Sequence, residues 1–373
     1  MYSTKKMNKD EIIKMKISRV EKEIRDTPYD KSSEHHHGVL KAKLAKLKDE
    51  LDGPSNKGGG GGVGYAIKHS GDASIVLVGL PSVGKSTLLN AITNAESKVG
   101  NYDFTTLGVV PGMMEYKGIK MQILDLPGII EGAARGKGFG KKVLSVIRAS
   151  NLVVLMTDIQ RKEWLTKIKK EMEEAGIRLN KKAPKVHIHR MAKGAIQIID
   201  PFNSLDKETM VEIAQELGFE NAVIQLGEKL SSIDQFIDAL SKTRTYIPLV
   251  EVITKIDMEK NSKIENLKSK EDNVVFMSAN TGIGIDEFKE KVWQGLGLVR
   301  IYLKRERSGQ ADKKEPLIMK NGQSLDAVLK KVSGGMRDDV SRAYIWGENA
   351  RFPGQEVSFS FPVFDEMEVW FGR

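Results

Sequence analysis

The sequence predicts an α/β fold, a parallel sheet covered by helices on both faces, and three observations predict it. From Ser74 onward, short apolar runs alternate with amphipathic stretches, the pattern of buried strands joined by crossover helices. The runs Ser74–Gly79, Lys120–Asp125, Asn151–Asp158, Leu249–Thr254 and Asn273–Ser278 read as strands, with helices near Lys85–Asn94, Gly138–Ala149 and Asp286–Leu296. The composition, 40% hydrophobic and 29% charged over 373 residues, is that of a soluble globular chain of two or three domains. It excludes a disordered or fibrous protein.

No apolar run approaches the roughly 18 residues that span a bilayer, and Met1–Asp10 is polar, so neither a membrane segment nor a signal peptide is expected. With no cysteine, the chain has no disulfide framework, thiolate catalysis or Cys-ligated zinc, and a cytoplasmic location fits. The net charge of +9 permits nucleic-acid contact without demanding it.

Residues 1–57 read as a helical hairpin arm. Ile13, Ile17, Val20 and Ile24 form one apolar stripe, and Leu40, Leu44, Leu47 and Leu51 form another. Thr27-Pro28-Tyr29-Asp30 breaks the pattern between them. The glycine run Gly58–Gly62 marks a linker, residues 58–72. The sheet domain then occupies residues 73–161 and 245–299. The stretch of about 90 residues between Asp158 and Leu249 is too long for one crossover, so residues 162–244 are an inserted α+β subdomain. Its helices are Trp164–Ala175, Lys207–Leu217 and Ser232–Lys242. Residues 300–373 form a small α+β domain with β-like pieces Val299–Leu303, Leu317–Met319, Ala343–Ile345 and Glu368–Phe371 around the helix Leu325–Val332.

Gly79-Leu80-Pro81-Ser82-Val83-Gly84-Lys85-Ser86 matches GxxxxGK[ST] between a strand and a helix. Glycines at its ends let backbone N–H groups turn in around a phosphate at the helix N-terminus. Lys85 is expected to bridge β- and γ-phosphates, and Ser86 to ligate Mg²⁺, with Thr87 beside it. Asp125-Leu126-Pro127-Gly128 ends the next strand. Asp125 there holds Mg²⁺ through water, and the Gly128 N–H reaches the γ-phosphate. Between these motifs, Thr105 or Thr106 completes the Mg²⁺ shell and senses the γ-phosphate, Thr106 being preferred. Thr254-Lys255-Ile256-Asp257 closes a further strand. A buried Asp257 carboxylate would accept from guanine N1–H and N2–H₂ and reject adenine, which disfavours an ATPase. The Lys255 stem lies along the base, and Ser278-Ala279 brings the Ala279 N–H to guanine O6.

This order of motifs resembles the translation-factor-related GTPases, and Phe104-Thr105-Thr106-Leu107 with Gly128–Ala133 resembles the Obg-like branch. Within it the chain is similar to the developmentally regulated GTP-binding proteins through Glu34–Leu51, Gly71–Leu89, Gly176–Asn180 and Thr245-Tyr246-Ile247-Pro248. The resemblance spans nearly the whole chain. It implies a P-loop GTPase that binds GTP and GDP with Mg²⁺, carries an insert like domain 2 of ribosomal protein S5, and ends in a TGS domain of β-grasp shape. It also implies a ribosome or structured RNA as partner. A regulatory protein partner is possible, and the oligomeric state is left open.

Three positions depart from the pattern. Thr254 stands where the common motif has Asn, whose amide contacts the base and braces the P-loop. Gly108-Val109 replace further threonines. Ser82 occupies the position where potassium-dependent relatives carry Asn, which leaves K⁺ stimulation open. Ile129, where small GTPases use Gln, cannot orient water, so slow turnover stimulated by RNA, a partner or K⁺ is expected. The alternative class is a non-switching RNA-binding or scaffold protein that holds GTP structurally.

Basic segments are the remaining candidates. Residues 178–193 carry six Lys/Arg and no acid, and residues 1–57 hold 14 Lys/Arg against 10 Asp/Glu. Phosphate-backbone contact is the functional reading of such charge; a solvated strand edge is the plain one. Arg135, Lys137, Lys141 and Lys142 read first as a solvated face. His187 and His189 lack a third metal ligand, and His35-His36-His37 fan around a helix. Trp346, Trp370 and Phe371 read as core packing before base stacking.

Overall fold

The computed structural model describes residues 8–30, 33–52, 71–93, 110–126, 140–259, 264–265, 273–333 and 340–372. The glycine run, Thr105, Thr106, Gly128, Ile129, Arg135 and Lys137 lie outside them, as do the side chains of Lys141 and Lys142. The chain divides into two compact units, Met1–Gly64 with Lys170–Tyr246, and Tyr65–Lys169 with Ile247–Arg373. No described helix is long and apolar enough to cross a membrane.

In the first unit, helices α1 (Lys9–Asp26) and α2 (Glu34–Asp52) double back on each other. All eight residues of the two apolar stripes meet in one cluster. The capping box of α1 is complete: Asn8 N–H donates to Glu11 at 2.9 Å. The three histidines diverge. His35 faces Glu212 at 3.1 Å, His36 faces Glu23 at 3.5 Å, and His37 is buried against Thr27 O and the Tyr29 ring. They do not converge on one site.

The same unit holds the insert, with α6 (Lys207–Glu216) and α7 (Ile233–Leu240). They pack on a three-stranded sheet, β6 (Val186–Arg190), β8 (Ala222–Leu226) and β7 (Ile196–Ile199) in that order, and the short strands β5 (Ile177–Leu179) and β9 (Thr245–Ile247) pair separately. The arm is built into this unit. Ala42 and Ala45, one turn apart on the side of α2 opposite its leucines, sit in the insert's core with Met210, Ile213 and Phe236. A Cβ at Gly38 would lie 3.3 Å from Ile213 Cδ1, so small residues let this helix approach closely. A half-buried ionic knot adds direction. Asp238 accepts from Arg178 Nη2 at 2.7 Å and from Arg244 Nε at 2.8 Å, and Asp49 of α2 accepts from Thr243 Oγ1 and Arg244 Nη1. The Arg178 guanidinium is thereby spoken for, which withdraws it from the basic segment predicted to be free.

The second unit holds a six-stranded sheet in the order β11-β10-β4-β1-β3-β2. Its strands are β1 (Ala73–Gly79), β2 (Val110–Tyr116), β3 (Ile119–Asp125), β4 (Leu152–Asp158), β10 (Leu249–Thr254) and β11 (Val274–Phe276). Every residue of β1 and β4 is buried, as strands flanked on both faces require. Helices α3 (Lys85–Ile92) and α4 (Lys141–Ala149) lie between successive strands, α5 (Glu163–Glu174) follows β4, and α8 (Ile285–Leu296) follows β11. The expectation of an all-parallel sheet needs correction: β2 runs antiparallel to β3. Lys117-Gly118 joins them in a two-residue turn with φ of 49° and 79°, the left-handed pair that matches hairpin twist. The one-residue hydrophobic spacing of β2 is interrupted by Pro111 and Gly112, which hides the strand from periodicity.

The C-terminal sheet has the order β13-β12-β16-β14-β15 and packs one face on α9 (Leu325–Ser333). Its strands are β12 (Leu298–Leu303), β13 (Leu317–Lys320), β14 (Arg342–Trp346), β15 (Gln355–Val357) and β16 (Met367–Gly372). The short β15 went unread in the sequence. At the β12/β13 end the opposite face merges with the core of the six-stranded sheet through Ile318 and Leu298. Lys117 Nζ meets Glu290 of α8 at 2.8 Å, and Arg300 lies over Trp293 at 5.5 Å.

Removing the Asp238 carboxylate takes from the half-buried Arg178 the carboxylate it pairs with and leaves Arg244 with Asp49 at 3.4 Å, a change that costs about 1–3 kcal/mol. Asp238→Ala should therefore lose about that much stability in a urea titration followed by far-UV circular dichroism. A loss below about 1 kcal/mol would mean the knot is solvated.

Candidate functional site

The carboxyl ends of β1, β3, β4, β10 and β11 lie on one rim, because the five strands run parallel. That rim gathers Gly79, Asp125, Thr254 and Ser278 from distant parts of the chain, the place where open α/β sheets present ligands. Gly79 is required there. A Cβ would stand 2.6 Å from Met156 O and 2.9 Å from Val83 Cγ2, so any side chain would push the loop off β4. The loop then turns through Ser82 (φ 62°) and Gly84 (φ 92°) into α3. Pro81, Ser82, Ser86 and Thr87 are exposed, whereas Val83 is fully buried and anchors the loop's underside.

Lys85 is buried and folds back over the loop. Its Nζ donates to Gly79 O at 3.0 Å and Leu80 O at 3.1 Å. Burial pushes the ammonium below the ordinary lysine value, and the Asp125 carboxylate opposes that shift. Ser86 Oγ donates to Asp125 Oδ2 at 2.8 Å. The second oxygen of Asp125, Oδ1, is buried and has no hydrogen-bond partner among the described residues. A buried carboxylate oxygen left unpaired is costly. A hydroxyl touching a carboxylate that keeps a free lone-pair site is the donor set of a hard divalent cation with bound waters. The residues present thus fit Mg²⁺.

Thr254 is the residue whose role the sequence left least defined. Its hydroxyl lies 2.6 Å from Val83 O and 3.1 Å from Thr157 O, with the side chain buried. The short bond latches the end of β10 to the phosphate loop. Bracing attributed to an Asn amide is here carried out by a hydroxyl. The acceptor, a backbone carbonyl, has no signature in the sequence, which is why the contact went unforeseen.

Lys255 follows in the left-handed region (φ 60°) and opens a single 3₁₀ turn, Ile256–Met258. Asp257 in that turn is exposed, which corrects the expectation of a buried carboxylate: no described side chain covers it. Ser278 is buried, its N–H donating to Ile283 O at 2.9 Å, and Ala279 is half-buried beside it. These residues share the rim with the phosphate loop. Thr106 and Gly128, expected to complete it, lie outside the described residues. Among the described residues no group of three or more His, Asp or Glu side chains has metal-binding geometry; His187 and His189 are exposed on the insert's sheet.

Comparison with known proteins agrees with this geometry. Residues 74–193 match the family model described as 50S ribosome-binding GTPase, and residues 193–298 match the C-terminal region of the same domain. A GTP-binding protein of Methanocaldococcus jannaschii is 42% identical over 359 residues, covering 95% of this chain and 91% of that one. A GTP-binding protein of Halobacterium salinarum is 40% identical over 94% of this chain and 96% of its own. Human developmentally-regulated GTP-binding protein 2 is 37% identical over 92% of this chain and 95% of its own length. With a glycine-gated phosphate loop, a serine–aspartate pair at its mouth and end-to-end relatives of this kind, the chain belongs to the developmentally regulated GTP-binding protein family of P-loop GTPases.

Proposed function

We propose that the chain is a Mg²⁺-dependent, GTP-hydrolysing molecular switch that acts on ribosomes or other structured RNA in the cytoplasm. The observation that carries this reading is the Ser86–Asp125 bond with its unpaired second carboxylate oxygen at the mouth of the phosphate loop. The family description, 50S ribosome-binding GTPase, supports the choice of partner.

Phosphoryl transfer asks mainly for positioning and charge neutralisation. Backbone N–H groups from Ser82 through Thr87 cradle the β-phosphate, with Gly79, Pro81 and Val83 shaping the loop. Lys85 exchanges two carbonyl partners, Gly79 O and Leu80 O, for oxygens of the β- and γ-phosphates. Ser86, Asp125 and Thr106 would hold Mg²⁺, which would supply charge neutralisation for the phosphates. The Gly128 N–H holds the γ-phosphate. At the other end of the rim Asp257 accepts from guanine, the Lys255 stem covers the base, and Ser278 with Ala279 presents a backbone N–H to O6. An exposed Asp257 excludes water only once the base lies on it, so discrimination develops on binding.

Thr254 is a positioning residue in this scheme. It ends at a hydroxyl committed to Val83 O and contributes to nucleotide affinity by fixing the loop. Ile129 offers no hydrogen bond to an attacking water, which sets slow turnover and leaves acceleration to RNA, a regulatory protein or K⁺.

Two measurements test the scheme. Purified protein in sodium buffer should hydrolyse GTP slowly and accelerate severalfold when ribosomes or potassium are added; fast, unstimulated turnover in sodium would overturn it. Thr254→Val removes the donor to a buried carbonyl, worth about 1–3 kcal/mol, so GDP should leave about tenfold faster in stopped-flow fluorescence. Release at the wild-type rate would mean the latch does not position the loop.

A further inference from the structure

The C-terminal sheet has a second face that its own core does not use. Ile301, Ala343, Ile345 and Val369 point into the core, so side-chain alternation puts Tyr302, Tyr344, Trp346 and Trp370 on the opposite face. The strand register groups them: Tyr344 lies opposite Trp370, and Glu368 lies between Tyr302 and Trp346. Beyond the Ile318 end, where this face meets the neighbouring sheet, cations of residues 304–313 lie over it, and Tyr302 and Tyr344 are buried beneath them while Trp346 and Trp370 are half-buried. Arg307 stands 4.0 Å above the Tyr344 ring, Lys304 stands 4.0 Å above Trp346, and Lys313 lies 5.8 Å from Tyr302.

The arrangement is shaped for a flat ligand. Tyr344 is buried under the exposed Arg307 guanidinium, with the half-buried Trp370 ring 5.4 Å away. A Cβ on Gly372 would fall 2.7 Å from the Trp370 ring, so the indole lies across Gly372 and is held there because that residue has no side chain. A guanidinium stacked by one face on a ring keeps its other face free for a base. The charge is complementary to a phosphate backbone. Arg342, exposed and two residues before Tyr344 on β14, shares its face and adds a fourth cation. Of the two carboxylates on the face, Glu368 is held at 3.6 Å by Lys304 and 3.5 Å by Lys313, and Glu356 lies opposite Tyr344.

We propose that this face binds single-stranded RNA, an unpaired base stacking on the exposed Arg307 beside Trp370 while the exposed Lys313 and Arg342 meet the flanking phosphates. The inference rests on the reading of the chain as an RNA-directed GTPase and names the surface involved. An acidic protein segment would engage the same cations but has no use for the stacked plane, and duplex RNA hides its base faces; single strands use both features.

The test is fluorescence anisotropy of the full-length protein with a short labelled adenine-rich RNA, alone or annealed to its complement. Wild type should prefer the single strand. Arg307→Ala should weaken that binding about tenfold, as loss of a stacking partner does. Arg307→Lys, which keeps the charge and loses the plane, should weaken it nearly as much, and Gly372→Ala should weaken it by displacing the indole. GDP affinity, unchanged in all three, verifies folding. Full recovery in Arg307→Lys, equal affinity for the duplex, or Arg307-dependent binding of a poly-glutamate peptide in place of RNA would each overturn the proposal. Sedimentation with ribosomes separates the two readings. Ribosome association without Arg307-dependent oligonucleotide binding sinks this surface alone. Arg307-dependent oligonucleotide binding without ribosome association sinks the ribosomal reading and leaves the surface standing.

Discussion

The arrangement depends on a single constraint: a phosphate loop must be held open by groups that do not themselves enter it. Backbone amides can point at a phosphate only if the loop is fixed from below and from its flanks. Here the fixing is done at three points: Gly79 against β4, the buried Val83 side chain, and the Thr254 hydroxyl on Val83 O. The first two come with the local sequence. The third arrives from a strand 171 residues further along the chain, and only a parallel sheet with β10 beside β4 brings it there. The topology is therefore what makes the loop rigid, and the loop's rigidity is what gives Lys85, Ser86 and Asp125 their mutual geometry.

Much of this was legible in advance because its signals are local. The strands that end on Gly79, Asp125 and Thr254 are apolar runs bounded by polar residues, and the stripes Ile13–Ile24 and Leu40–Leu51 meet as their spacing implies. What was not legible depends on partners far away in sequence. The second buried side of α2 is made of Gly38, Ala42 and Ala45, residues too small to register as an apolar stripe, and only their packing against Ile213 and Phe236 gives them meaning. Strand β2 is masked by Pro111 and Gly112, although Lys117-Gly118 carried its turn signal. Asp257 was expected to be buried because its chemistry with guanine calls for a dry site; the strand end that carries it instead opens to solvent.

Charge shows the same division. The run 178–193 has no acid of its own, yet three of its six cations have definite partners. Arg178 is bound by Asp238, Lys181 meets Glu173 at 2.7 Å, and Arg190 stacks 4.6 Å from the Phe219 ring. A half-buried guanidinium held by a carboxylate contributes little external field. Local charge counts overstate a surface when some of its members serve the interior, and the correction comes from carboxylates that lie dozens of residues away.

The hairpin of β2 and β3 connects the chemistry of the rim to the rest of its unit. One end of β3 is Asp125; at the other, Tyr116 Oη donates to Glu290 at 2.9 Å and Gly118 approaches the Pro316 ring closely enough that a Cβ would lie 3.1 Å from it. Seven paired positions separate the two ends, a span of roughly 20 Å at strand rise. A strand hydrogen-bonded along both edges, as β3 is to β1 and β2, is stiffer than the side-chain contacts at its end. The carboxylate beside the phosphate loop and the attachment of the C-terminal sheet are therefore opposite ends of one rigid element. A small displacement of Asp125 along β3 must be taken up either in the β1–β3 ladder, at the cost of its hydrogen bonds, or at Glu290 and Pro316, where the contacts are a half-exposed ion pair and a ring edge. The second is the weaker restraint. The hairpin thus yields at the C-terminal sheet before it yields at the core.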